Sequence, residues 1–351
     1  MKPRYIIHIG PLKTASTYMQ ECLTSARDDL AQQGICYPEE LTTPQAKVRH
    51  IPVYWALARN QAETLRDAFK RLNAAGHHTI VLSCEHLSFL KPAAFLALRD
   101  VIGDADIRIV YTCRRWSDRA SSIWNQTLFM GATQTLPEFY ISLLAGRPMN
   151  YYTKSMKEHY PGCDVDYSIH WRAIADIFGR DALMIFPYSV IMDEGGDVFE
   201  RFCQDVLGMA AAPKTALTGK KRWTSFSTPD QEILRMMNGL YLEETGKEEA
   251  ALSTGFLRRR KHYDTARIAA AMADHAAEIT IDDNAVQFDA AFDNMSAYTD
   301  LVVGAETMFA RRSKPAAYIQ SGYLLKDGVR EDIRAMYHRI KSEVDTAQTA
   351  A

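Results

Sequence analysis

Residues 5–32 confine this chain to a narrow class of folds. Tyr5-Ile6-Ile7-His8-Ile9 is an apolar run of strand length, Gly10-Pro11 is a turn signal, and a helical pattern runs from Ser16 to about Gln32. A buried strand, a glycine-containing loop and a helix N-terminus, in that order, open an α/β unit. The same order makes an anion cradle. The first backbone N–H groups of a helix have no partner inside it and sit at the positive end of its dipole. Gly10 permits a tight turn, Pro11 sets its direction, Lys13 adds a mobile positive charge, and Ser16 and Thr17 add hydroxyl donors. An ATP-type phosphate loop ends in Gly-Lys-Ser/Thr. Here Lys13 stands three residues after Gly10, and Ala15-Ser16-Thr17 closes the segment. The segment is a phosphate loop of another spelling or, taken alone, a surface turn with a capping hydroxyl.

Three more strands are predicted, at 78–82, 107–112 and 183–186, the last stopped by Pro187. Helical patterns lie between them, around 61–75, 91–102, 117–130, 167–179 and 196–207. This alternation predicts an α/β fold of three layers, a parallel sheet with helices on both faces. Such sheets bind ligands at the carboxyl ends of their strands. Beyond about residue 210 helical patterns dominate, near 229–244, 264–279, 286–310 and 328–345, and strand signals are weak. Gly, Pro, Ser and Lys mark 211–228 and 311–327 as loops. We therefore expect an α/β core over 1–210 and a mainly helical C-terminal extension over 211–351 that completes the same domain.

The chain has 351 residues, enough for a large buried core. Lys plus Arg number 41 and Asp plus Glu 43, a formal charge of -2, which argues against a nucleic-acid partner. Six cysteines are scattered without a Cys-x-x-Cys pair. That excludes a recognisable zinc site or disulfide framework and suits a reducing compartment. The first apolar run ends by His8, too short for a signal peptide. No apolar stretch approaches the ~20 residues of a membrane span. A soluble, cytoplasmic protein is expected; its oligomeric state is open.

Two further strand ends carry reactive groups. Val81-Leu82-Ser83-Cys84-Glu85-His86 closes the second strand with a carboxylate and an imidazole, either of which can take a proton. Read structurally, they are a capping or salt-bridged carboxylate and a surface histidine. Arg114-Arg115 closes the third strand. Two arginines at the end of a buried strand need an anion nearby, and arginine clamps phosphate bidentately. Ser122 lies about two turns into the following helix and can face the same phosphate if the chain reverses there.

His8-Ile9-Gly10-Pro11-Leu12-Lys13-Thr14-Ala15-Ser16-Thr17-Tyr18-Met19-Gln20 resembles the 5′-phosphosulfate loop of the PAPS-dependent sulfotransferase superfamily, in its bacterial spelling Pro-x-Lys-Thr-Gly-Ser. PAPS is 3′-phosphoadenosine 5′-phosphosulfate. Ala15 stands where the family has Gly; its methyl fits at negative φ and is strained at positive φ. Ser83-Cys84-Glu85 resembles the family's Ser-Ser-Glu, which makes Glu85 the base, and another branch carries a His at this strand end, which keeps His86 as a second candidate. Arg114 through Ser122 resembles the Arg-(x)7-Ser site for the 3′-phosphate. Ser122-Ile123-Trp124-Asn125-Gln126 continues it, with Trp124 in place of a Tyr. Tyr18 matches an aromatic that stacks on adenine in some relatives, and is otherwise a core tyrosine. Arg258-Arg259-Arg260-Lys261 matches a late basic loop only in charge and reads as a solvated run. Trp171, Phe178-Gly179 and Leu183–Tyr188 resemble a recurring scaffold stretch. Residues 147–167 are an acceptor-pocket candidate or a plain surface loop.

The resemblance implies the P-loop NTPase-like sulfotransferase fold. It implies sulfuryl transfer from PAPS to a hydroxyl, or else an amine, of a carbohydrate or small-molecule acceptor, with PAP released and no metal. Lys13 and Glu85 or His86 are the expected catalytic groups. Gly10, Pro11, Lys13, Thr14, Ala15, Ser16, Thr17, Tyr18, Arg114 and Ser122 are expected to hold the nucleotide. An ATP-dependent small-molecule kinase is the alternative, against which stand the missing Gly-Lys-Ser/Thr and a third strand ending in Arg. A nonenzymatic nucleotide-binding relative is the third reading.

Overall fold

A computed structural model describes residues 2–44, 47–145, 158–163, 165–217, 226–247, 252–253, 255–256 and 265–349. The chain divides into two compact units. The first comprises Met1–Arg115, Tyr151–Arg222 and Asn284–Arg311. It contains a sheet of β1 (Arg4–Ile9), β2 (Ile35–Cys36), β3 (Thr79–Ser83), β4 (Asp106–Cys113) and β5 (Leu183–Pro187) in the order β2-β3-β1-β4-β5. Every pairing is parallel. The four strands read from sequence are all present. The two-residue β2 gave no usable apolar pattern and extends the β3 edge.

Strand periodicity assigns the two faces. Ile6, Val81, Val110 and Phe186 point to one side, where they pack on Met19, Cys22 and Leu23 of α1 (Ser16–Ser25), Leu30 of α2 (Arg27–Gln32), and Phe199, Phe202 and Cys203. The opposite side carries Tyr5, whose ring meets Phe69 of the helix Arg66–Ala74. It also carries Tyr111, against Trp171 of the helix Tyr167–Phe178. Helices thus cover both faces of a buried parallel sheet, as the alternating pattern predicted. The single helix expected over 16–32 is broken at Ala26 (φ -94, ψ 9).

The second unit comprises Trp116–Asn150, Trp223–Asp283 and Arg312–Ala351. Its helices are Trp116–Phe129, Leu136–Leu144, Thr228–Thr245, Thr265–Ala273 and Val329–Thr349. Asp283 is fully buried and accepts from the backbone N–H and the hydroxyl of Ser117, at 2.7 and 2.8 Å, which caps the first of them. This unit also holds an antiparallel pair, β6 (Ala276–Asp282) with β7 (Ser313–Ile319). The helix expected over 264–279 therefore stops at Ala273. Glu278-Ile279-Thr280-Ile281 alternates polar with β-branched residues, a period-two pattern that pairing with β7 turns into strand. The expected loop 311–327 contains β7, and the helix expected over 286–310 ends at Ser296. Among the described residues, no helix is long and apolar enough to cross a membrane. Arg258-Arg259-Arg260-Lys261 and most of 147–167 lie outside the described residues.

Candidate functional site

The loop after β1 leaves the sheet with no room to spare. Gly10 has φ +147, and a Cβ there would stand 2.6 Å from the backbone oxygen of Thr112 on β4. Ser88, beyond β3, donates its hydroxyl to the Gly10 carbonyl at 3.0 Å. Thr14, 1% exposed, donates to the Pro11 carbonyl at 3.0 Å. Lys13 (φ 73) and Ala15 (φ 59) are both left-handed, with Thr14 between them at negative φ. Alternation of hand along successive residues is the pattern of a backbone nest, in which neighbouring N–H groups can face one anion. Ala15 is the N-cap of α1, and no side chain caps that helix end. Its positive φ is the strained case for a methyl-bearing residue. Lys13 and Thr17 reach solvent. Partial desolvation and the nearby charge of Arg114 lower the Lys13 pKa, and its ammonium has no ion pair among the described residues.

Glu85 opens a 3-10 turn, Glu85–Phe89, at the end of β3 and is 5% exposed. Gln20 of α1 donates to its Oε2 at 2.9 Å. Arg49 Nη1 stands 3.4 Å from Oε1, and His86 Nδ1 3.5 Å from the same oxygen. Burial raises the carboxyl pKa, but the interactions with His86 and Gln20 prevail and lower it to about 2. The His86 ring packs at 5.5 Å from both Tyr54 and Phe89. Cys84, Glu85 and His86 bring a thiol, a carboxylate and an imidazole within 4.8 Å of one another. Burial holds that thiol protonated, and Arg49 already stands at the carboxylate, so the surroundings disfavour a cation.

Gln20, Arg49 and His8 were not singled out by sequence. His8 lies on the central strand with Nδ1 2.8 Å from Ser83 Oγ and Nε2 2.7 Å from Thr112 Oγ1. It ties β1 to both neighbours. Burial lowers its pKa to about 4, so it is neutral near pH 7. The available signal was a histidine inside an otherwise apolar strand.

The arginine pair after β4 divides. Arg114 donates from Nη1 to the Lys13 carbonyl, and its guanidinium lies 5.0 Å from the centre of the Tyr188 ring. Tyr167 donates its hydroxyl to the Arg114 carbonyl at 2.9 Å. Arg115 turns inward: Nη2 donates to Asp193 at 2.6 Å and Nε to the Ala310 carbonyl at 2.7 Å. Ser122 belongs to the second unit, half-buried on the helix Trp116–Phe129, without a side-chain hydrogen bond among the described residues. Tyr18 donates to Asp197 and packs partly buried on the α1 core. Asp197 also caps the helix Val198–Arg201 through the Phe199 N–H at 2.8 Å.

No protein-family model matches the chain, and no curated protein resembles it in sequence. Among solved structures it is similar to the crystal structure of a sulfotransferase from Alicyclobacillus acidocaldarius. The two are 16% identical with a TM-score of 0.36, over 70% of this chain and 94% of the other. A likeness this slight decides nothing about activity.

Proposed function

We propose that this protein is a sulfotransferase that moves a sulfuryl group from PAPS to a hydroxyl of a carbohydrate or small-molecule acceptor. The observation that carries this reading is the Lys13–Ala15 turn, left-handed at both ends, with an exposed ammonium that has no ion pair among the described residues and a bonded arginine beside it. Two cations held together with no counter-ion at Lys13 among the described residues fit a strongly anionic ligand. The nest amides and the Ser16 and Thr17 hydroxyls would hold the 5′-phosphosulfate, and Lys13 would stabilise charge on the leaving phosphate oxygen. Arg114 is the candidate for the 3′-phosphate, and Ser122 stays a candidate on its sequence spacing alone.

In this scheme the acceptor oxygen bonds to sulfur as the bond from sulfur to the bridging phosphate oxygen breaks. The electron pair of the broken bond stays on the 5′-phosphate, and the acceptor proton passes to Glu85. Glu85 is ionised and can receive that proton, but the interactions that hold its carboxyl low make it a weak base, and His86 beside it is the second candidate base. A charge supplied by Lys13 takes the place that magnesium holds in kinases.

Calorimetry tests the reading. PAP should bind tightly, with ATP and 5′-AMP far weaker; equal or stronger ATP binding would favour the kinase reading. PAPS binding without transfer to any acceptor would favour a nonenzymatic nucleotide binder. A Glu85→Gln variant that kept full turnover would remove Glu85 as the base.

A further inference from the structure

We propose that Arg49 is the acceptor-recognition residue and that the acceptor is an acidic molecule, one with a carboxylate or other anionic group near the reacting hydroxyl. The inference rests on the sulfotransferase reading and names the acceptor class of the same site.

The backbone on either side of Arg49 is clamped. Tyr37 donates its hydroxyl to the Val48 carbonyl at 2.6 Å. The His50 N–H donates to the Ser83 carbonyl at 3.1 Å, and the Ser83 N–H donates back to His50 Nδ1 at 2.9 Å. With Nδ1 accepting, His50 Nε2 donates to the Pro38 carbonyl at 2.9 Å. His50 is fully buried. Arg49 is thus presented at the end of β3 by a fixed segment, immediately beside the proposed base.

Its side chain is less settled than its backbone. The guanidinium has five N–H donors, and among the described residues only Nη1 meets an acceptor, Glu85 Oε1, at 3.4 Å. A charge-assisted bond optimised to hold a buried carboxylate would be about 2.7–2.9 Å. Gln20 already holds the other oxygen at 2.9 Å. The exposures are asymmetric too: 37% for the Arg49 side chain against 7% for Glu85. The guanidinium therefore faces outward with most of its fork unfilled. Lys47, exposed on the same segment, adds to the positive field there. Planar, bidentate recognition of an oxyanion is the chemistry that arginine supplies and a neutral polar residue does not.

His86 and Gln20 chiefly hold Glu85 in its ionised form, and Arg49 stands 3.4 Å from one of its oxygens. An acidic acceptor draws Arg49 onto itself, seats its hydroxyl at Glu85 and moves one of the positive charges off that carboxylate. A neutral acceptor does none of these.

The test compares matched probes: methyl glucuronide with methyl glucuronamide, and 4-hydroxybenzoate with 4-hydroxybenzamide. Binding to the PAP-loaded protein is measured by calorimetry and transfer with PAPS by product formation. The wild type should bind at least one acid about tenfold or more tighter than its amide, the size expected for one charge-assisted contact. Arg49→Gln should erase the difference while leaving PAP affinity unchanged, and Arg49→Lys should restore part of it. Equal binding of acids and amides, no binding of either acid, or a preference that survives Arg49→Gln would overturn the inference. Normal PAP binding together with any of these would leave the sulfotransferase reading standing; loss of PAP binding in the wild type would remove that reading itself.

Discussion

The chain leaves β1 and β4 side by side at one edge of the sheet, each time into basic residues, and treats those charges in opposite ways. After β4, Arg115 is drawn inside and satisfied by Asp193 and the Ala310 carbonyl, with its side chain 3% exposed. After β1, Lys13 stays exposed with no ion pair among the described residues, on a backbone that is itself left-handed. Arg114 sits between these cases: it reaches back to the Lys13 carbonyl and adds a second positive charge there. A buried cation with good partners serves the fold. A cation kept beside another cation disfavours the folded state slightly, which fits the anionic ligand proposed above.

Paired substitutions can break this comparison. Lys13→Met should lower turnover by ~10²–10³-fold, the range for removing one preorganised group at developing charge, with chemical denaturation almost unchanged. Arg115→Met should do the reverse. It leaves Asp193 without its partner and should cost about 2–3 kcal/mol of stability, less than a fully enclosed pair because Asp193 is 42% exposed. PAP binding by the folded fraction should be retained. If both variants lost the same property, the two strand ends would not differ in role.

A pH titration sharpens the contrast by probing buried imidazoles of the first unit. Burial lowers His8 and His50 to about 4 and His170 to about 3. From the ordinary value of 6.5 downward the unfolded chain takes up protons that the folded chain refuses, so stability must fall with falling pH. The decline should begin near pH 6.5 and continue to about 4 for His8 and His50 and to about 3 for His170. Glu85 adds a second loss lower down, between 4.5 and about 2, because its folded carboxyl ionises more readily than the unfolded one. Urea midpoints from pH 7.5 to 4.5 follow the first window, and a flat midpoint would show that these imidazoles are not held neutral.

The smallest effect belongs to Ala15. With φ 59, an alanine there costs roughly 1 kcal/mol relative to glycine. Ala15→Gly should recover somewhat less than that, because glycine also gains freedom in the unfolded chain. A destabilised Ala15→Gly variant would mean that the loop does not hold this conformation.

The sheet was legible because its strands are buried on both faces and read as short apolar runs with sharp punctuation. Lys13, Glu85 and Arg114 stood out as candidates because a charge directly after a buried apolar run is costly to desolvate, although a capped turn or a salt-bridged carboxylate reads the same way in the sequence. Gln20 and Arg49 were not, because a polar residue within a helix and an arginine in a loop are ordinary until folding brings them to Glu85. The different fates of Arg114 and Arg115 were equally hidden, since Asp193 and Ala310 are remote in sequence. β6 was missed because Ala276–Asp282 continues a composition that also suits a helix, and only pairing with Ser313–Ile319 decides it.

The position of β1 has a consequence for how the protein comes into being. It precedes the other four strands of its sheet in the chain and yet sits in the middle of that sheet, with His8 bonded to Ser83 and Thr112, residues 75 and 104 positions later. Loop closure on that scale is slow and must precede any gain from pairing. A nascent chain that has emerged only as far as residue 60 therefore carries the whole Gly10–Thr17 segment but none of the partners that shape it. During synthesis this loop is made before Ser88, Thr112 and Arg114 and cannot take its folded shape until they arrive.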